Sequence, residues 1–160
     1  MAFFSGIEVI SLVHGFLGTI FLMAFGAAFA ELIELTNAGV QRIRLGITVM
    51  AVVAILLYAS GSFIYIDYRA PVPTSPRSVL LSSEETAWIH EVLFELKEFT
   101  GAFVPVIMLL AAYLSRLWGD ELKTDPKKRR ILLSLLLVGV VWTFATYGLG
   151  AYVTKTVPLK

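Results

Sequence analysis

The chain contains no cysteine. That excludes disulfides, iron–sulfur clusters, thiolate zinc sites and covalent c-type haem attachment. Histidine is almost as scarce: with only two, any imidazole chemistry rests on His14 and His90. Charged residues make up 16% of the chain and nearly cancel, at a net +1, so the electrostatic footprint of a nucleic-acid binder is missing. Serine-nucleophile, phosphate-loop and zinc-protease signals are also absent, so no bond-making catalysis is expected. In the opening "MAFFSGIEVISLVHG" no basic residue precedes the apolar run. It therefore lacks the positive segment of a signal peptide and reads as the start of a mature helix.

What is abundant is apolar surface. Hydrophobic residues account for 58% of the chain, and the mean hydropathy is +0.80. Soluble domains seldom pass about half apolar, so lipid is the expected solvent for most side chains. A crossing of the bilayer needs about 20 mostly apolar residues. Four segments qualify: about 7–33, 43–66, 99–118 with a helical lead-in from 83, and 131–153. With no water to satisfy backbone groups, each is expected to be a helix. The fold expected is an all-α integral membrane protein, one four-span domain over residues 1–160.

The connections support a simple topology. "ELTNAGVQR" carries a helix stop at Asn37-Ala38-Gly39. "YRAPVPTSPRSVLLSS" holds Pro71, Pro73 and Pro76 and is not helical throughout. "SSEE" then caps a new helix and places acids in its first turn. "GDELKTDPKKRR" is a polar loop ending in four cations, expected to meet anionic headgroups. The first and third loops hold Arg42, Arg44, Arg116, Lys123, Lys127, Lys128, Arg129 and Arg130; the second holds only Arg69 and Arg77. The positive-inside rule then puts the first and third loops in the cytoplasm and both termini outside a cell membrane. Short connections favour an up-down bundle.

Helix faces place the polar residues. In the first span Ser11, His14, Gly15, Gly18 and Thr19 share one side of a helical wheel, a small-polar stripe expected to face protein. The fourth span repeats this with Gly139, Thr143, Thr146 and Gly150, most simply a packing face. Tyr65, Tyr68 and Trp88 read as outer interfacial anchors. In "TAWIHEVLFELKEFTG", Glu84, Glu91, Glu95 and Glu98 form an acidic stripe, with His90 and Lys97 beside it. At 1.5 Å per residue His14, Ser60, Ser62, Glu95, Glu98, Thr146 and Tyr147 fall in one outer polar layer. Ionisable groups at such depth are costly and mark a candidate site.

Two imidazoles on parallel helices, with small residues between them, form the plan of an axially ligated iron-porphyrin. In its four spans and in His14 and His90 the chain resembles the small four-helix b-type cytochromes of bacterial and archaeal membranes. The resemblance implies haem b held by His14 and His90, with Gly15, Gly18 and Gly101 giving room for the ring. Arg69, Arg77 or Lys97 would then neutralise propionates. It further implies electron transfer between a quinone and a partner redox protein near the outer face. The same rise puts His90 roughly 10 Å above His14, a mismatch that tilt or a bend near Gly101 and Pro105 must absorb. One alternative is a non-haem metal site joining a histidine to Glu95 and Glu98, although the paired Glu-x-x-His motif of di-metal bundles does not occur. The other is a cofactor-free accessory subunit of an oligomer or larger membrane complex.

Overall fold

In a computed structural model, which describes residues 6–36 and 38–157, every regular element is helical and no strand occurs among the described residues. The elements are α1 (Gly6–Ile33), α2 (Gly39–Tyr68), α3 (Pro76–Leu81), α4 (Glu84–Trp88), a π turn (Ile89–Phe94), α5 (Glu95–Gly101), α6 (Phe103–Trp118), a 3₁₀ turn (Gly119–Lys123) and α7 (Pro126–Thr156). From α4 to the 3₁₀ turn the chain runs as one long third helix. Asn37, within the expected helix stop, and the extreme ends expected to lie outside are beyond the described residues.

Four helices are long and apolar enough to cross a membrane: Gly6–Ile33, Gly39–Tyr68, Glu84–Lys123 and Pro126–Thr156. The third has 40 residues, about 60 Å at helical rise. A whole bilayer with its headgroups is about 40–45 Å thick, so one end of this helix stands clear of the hydrocarbon. The outer surface fits lipid rather than water: Phe16, Met23 and Phe99 are 67%, 72% and 77% exposed.

Small residues let α1 and α2 approach closely. A Cβ on Gly46 would sit 3.0 Å from Ala28 Cβ and 3.2 Å from the Ala24 carbonyl oxygen. Between these helices and α6 and α7 the core is filled by Phe21, Ile43, Ile47, Met50, Met108 and Leu136, all fully buried. Burial of such side chains stabilises by about 1.5–3 kcal/mol each when the alternative is water. In lipid the gain comes from packing and close approach instead. The helix-four stripe is such a packing face. Gly139 lies against Met108 and Ile107 of α6, and Gly150 against Lys97 of α5.

Polar ties close the ends. Arg44 of α2 donates through Nε to the Ser115 carbonyl at 3.2 Å and through Nη2 to the Arg116 carbonyl at 3.4 Å. These are last-turn carbonyls of α6, left free by the helix geometry and favourable to a cation. Arg116 in turn donates to Thr48 Oγ1 at 3.0 Å. Gly119, with φ +51°, turns the chain out of α6 in a conformation suited to glycine. Asp125 caps α7, accepting from the amides of Lys127 and Lys128.

The regular α pattern of the third helix is interrupted near Pro105. The break falls at Ala102, between α5 and α6. Pro105 has no N–H for the Gly101 carbonyl, and the Trp142 indole donates to the neighbouring Thr100 carbonyl at 3.0 Å. Two features go beyond the sequence reading. The proline-rich connection contains the short helix α3, started by Pro76 in its first turn and capped by Ser75. The lead-in from Ser83 is a π turn at its centre rather than a continuous α-helix.

Candidate functional site

His90 lies on the π turn, 4% exposed. A π turn inserts extra chain into the helical spiral and re-aims the side chains that follow. Here it directs His90 toward α2 and α3. The phenol of Tyr68, at the end of α2, lies 3.0 Å from His90 Nδ1. The guanidinium Nε of Arg77, on α3, donates to His90 Nε2 at 3.2 Å. Arginine has only protons to give, so Nε2 is the accepting nitrogen. The ring proton is therefore assigned to Nδ1, and Tyr68 Oη accepts it. Both nitrogens of this imidazole are occupied.

Arg69, the residue after α2, organises the acids. Its Nη2 bridges Glu95 and Glu98, the latter at 3.0 Å. Glu95 also comes within 3.7 Å of His90 Nε2. The Arg69 guanidinium sits 4.8 Å from the Tyr65 ring centroid, within cation–π range. Burial works against its charge, but Glu98, Tyr65 and Glu95 together hold its pKa above the ordinary arginine value. Its Nε is buried without a hydrogen-bond partner. Aromatic rings close the cluster from within: Tyr68 and Phe94 stack with centroids 3.7 Å apart. Leu80, Ile89 and Val153 pack around them. Tyr68, expected as an interfacial anchor, is instead 3% exposed inside this cluster.

His14 occupies a different level. Its Nδ1 is 2.9 Å from Ser60 Oγ of α2, and a Cβ on Gly61 would touch its ring at 3.4 Å. Ser60 spends its single proton on the Leu57 carbonyl. The Ser60 oxygen therefore accepts from His14 Nδ1–H, beside the Leu57 carbonyl, and this tautomer leaves the lone pair on Nε2.

The two histidines are thus not brought together. One meets Ser60 and the other Tyr68, eight residues apart on α2 and separated by a rise of about 12 Å. An iron shared by two imidazoles needs their nitrogens roughly 4 Å apart, twice a metal–nitrogen bond length. In this arrangement, with Arg77 on His90 Nε2, the residues do not fit one haem held by both rings.

The other expected site residues divide in the same way. Arg69, Arg77, Glu95 and Glu98 gather around His90. Lys97 turns away from them: its Nζ lies 5.3 Å from the Phe94 ring centroid and faces Gly150 of α7, with no ion pair among the described residues. Gly15, Gly18 and Gly101 have nothing within 4 Å of a Cβ position, so they line open space. Ser62, Thr143 and Thr146 bond backbone carbonyls of their own helices, and Tyr147 is 70% exposed. The expected polar layer is therefore two local groups, one at Ser60 and one at Tyr68. Among the described residues no group of three or more His, Asp or Glu side chains could hold a metal ion. The partnership of Tyr68 and Arg77 with His90 was not visible in the sequence, because it depends on α3 folding back over the π turn. No protein-family model, curated protein or solved structure matches the chain.

Proposed function

We propose that the chain is a cofactor-free accessory subunit of a larger membrane complex. In this reading it is an up-down bundle, with the first and third loops in the cytoplasm and both termini outside. One observation carries it. The ionisable residues of the third helix around His90 pair with one another, whereas the glycine side of α1 is uncovered. Gly15, Gly18 and Gly26 meet nothing within 4 Å, and Phe16 and Met23 stand out beside them. In lipid, small residues gain stability when another helix packs on them, so this side suits a transmembrane helix of a partner subunit. The short connections between α1 and α2 and before α7 support the topology, and the eight cations of the first and third loops support the sidedness.

The test is purification at native expression level in mild detergent, with the complex sized on a native gel and the spectrum recorded before and after dithionite. The expected result is a colourless protein that migrates with larger subunits. Gly18→Leu should release it from them while leaving its own thermal midpoint within about 1 kcal/mol equivalent, as befits a position that touches nothing in the isolated chain.

A specific observation favours a second reading, a b-type haem with His14 as its protein ligand. In the assigned tautomer His14 carries its lone pair on Nε2, and Ser60 orients the ring through Nδ1, as hydrogen-bond partners orient metal-binding histidines. Lys97, over the Phe94 ring and with no ion pair among the described residues, is the cation left for a propionate. Bound haem supplies one-electron chemistry, which the family resemblance couples to a quinone and a redox partner. Under this reading the purified protein is red, His14→Ala removes the Soret band, and His90→Ala leaves it in place.

A further inference from the structure

The end of the molecule away from His90 holds a polar cleft of about 350 Å³, lined by Leu35, Thr36, Lys123 and Arg129. It forms where the connection after α1 meets the 3₁₀ turn and the start of α7. The charges around it are unequally matched. Glu31 is saturated: it accepts from the Thr36 amide and hydroxyl and from Arg42. Asp120 holds Lys123 at 2.9 Å. Glu121 and Asp125 both face Lys128. Among the described residues Glu34 makes no ion pair and no carboxylate reaches Arg129.

Arg129 is therefore exceptional. Its side chain is half-buried and lines the cleft, yet its guanidinium has no ion pair or hydrogen bond among the described residues. It also sits in the first turn of α7 with Lys127 and Lys128, just before Arg130. Cations there oppose the positive end of the helix dipole, and the Asp125 cap offsets only part of that repulsion. A guanidinium without an ion pair among the described residues, in a cleft that a lysine also lines, has the donors that a phosphate oxygen takes up.

We propose that this cleft binds the phosphate of one anionic phospholipid, with Arg129 as its principal donor and Lys123 as the second. The lipid source follows from position. The cleft lies at the ends of four membrane-length helices, where headgroups are found, and Leu35 gives it an apolar wall beside the charges. This differs from diffuse attraction by the basic run, because the exposed Lys127 and Arg130 do not line the cleft.

The test uses the full-length protein in detergent, with phosphatidylglycerol or phosphatidylcholine added at equal concentration and retention read by native mass spectrometry. One phosphatidylglycerol should be retained and phosphatidylcholine lost. Arg129→Gln should cut retention about fivefold or more, the effect of removing one cation near a headgroup. Arg130→Gln, with the same loss of charge, should change it less than about twofold. Lys123→Gln provides a second variant on the cleft, and far-UV circular dichroism confirms that each remains folded. Millimolar inorganic phosphate should not raise the thermal midpoint. Equal losses from Arg129→Gln and Arg130→Gln would overturn the proposal, as would equal retention of the two lipids. Stabilisation by inorganic phosphate matching that by phosphatidylglycerol would overturn the lipid as occupant and assign a free anion.

Discussion

A buried histidine needs both ring nitrogens satisfied, and His90 achieves this with Tyr68 on one side and Arg77 on the other. Removing one partner is costlier than the bond itself is worth, because the donor left behind stays buried. Tyr68→Phe keeps the ring stacked on Phe94 but leaves His90 Nδ1–H unpaired. The variant should lose about 1–3 kcal/mol of stability, read from unfolding midpoints in detergent. Ser60→Ala should cost less, because His14 is only half-buried. Of the site residues, His14, His90, Glu95 and Glu98 stood out in the sequence because ionisable groups beside a lipid-length run are rare. Tyr68 did not stand out. A tyrosine at a helix end has the same appearance whether it anchors at the interface or turns inward.

At the scale of elements, the spans were legible and the π turn was not. Long apolar runs set where α1, α2, α6 and α7 lie, and proline, serine and aspartate set the starts of α3, α4 and α7. A helical wheel, however, assumes a constant 100° per residue. Between Ile89 and Phe94 that assumption fails. The wheel puts His90 and Lys97 together, whereas in the structure they face Arg77 and Gly150 respectively. Nothing in the residue types there announces the change, since it is stabilised by α3 and Tyr68, which are distant in the chain. Deleting the exposed Glu91 removes the extra residue that a π turn accommodates. The variant should keep its far-UV helix signal, because an α-helix replaces the turn. It should rotate His90 about 100° away from Tyr68 and lower the thermal midpoint at least as much as Tyr68→Phe does. An unchanged midpoint would show that the π turn does not hold the cluster together.

For the whole molecule, the orientation proposed from loop charges can be measured directly, because the chain has no native thiol. Thr74, in the proline-rich connection, and Thr124, before α7, are both exposed at opposite ends of the spans. Thr74→Cys should react with a membrane-impermeant maleimide on intact cells. Thr124→Cys should react only after the membrane is permeabilised. The reverse pattern would invert the topology without disturbing the fold.

The contact between Arg44 and the end of α6 bears on how the molecule is made. Chains emerge from the ribosome N-terminus first, so α1 and α2 are complete while the third crossing is still being synthesised. The guanidinium that later covers the Ser115 and Arg116 carbonyls is then already in position. The leading hairpin thus provides the receptor for the trailing one, and an α6 born without its predecessor would enter the bilayer with its terminal oxygens exposed.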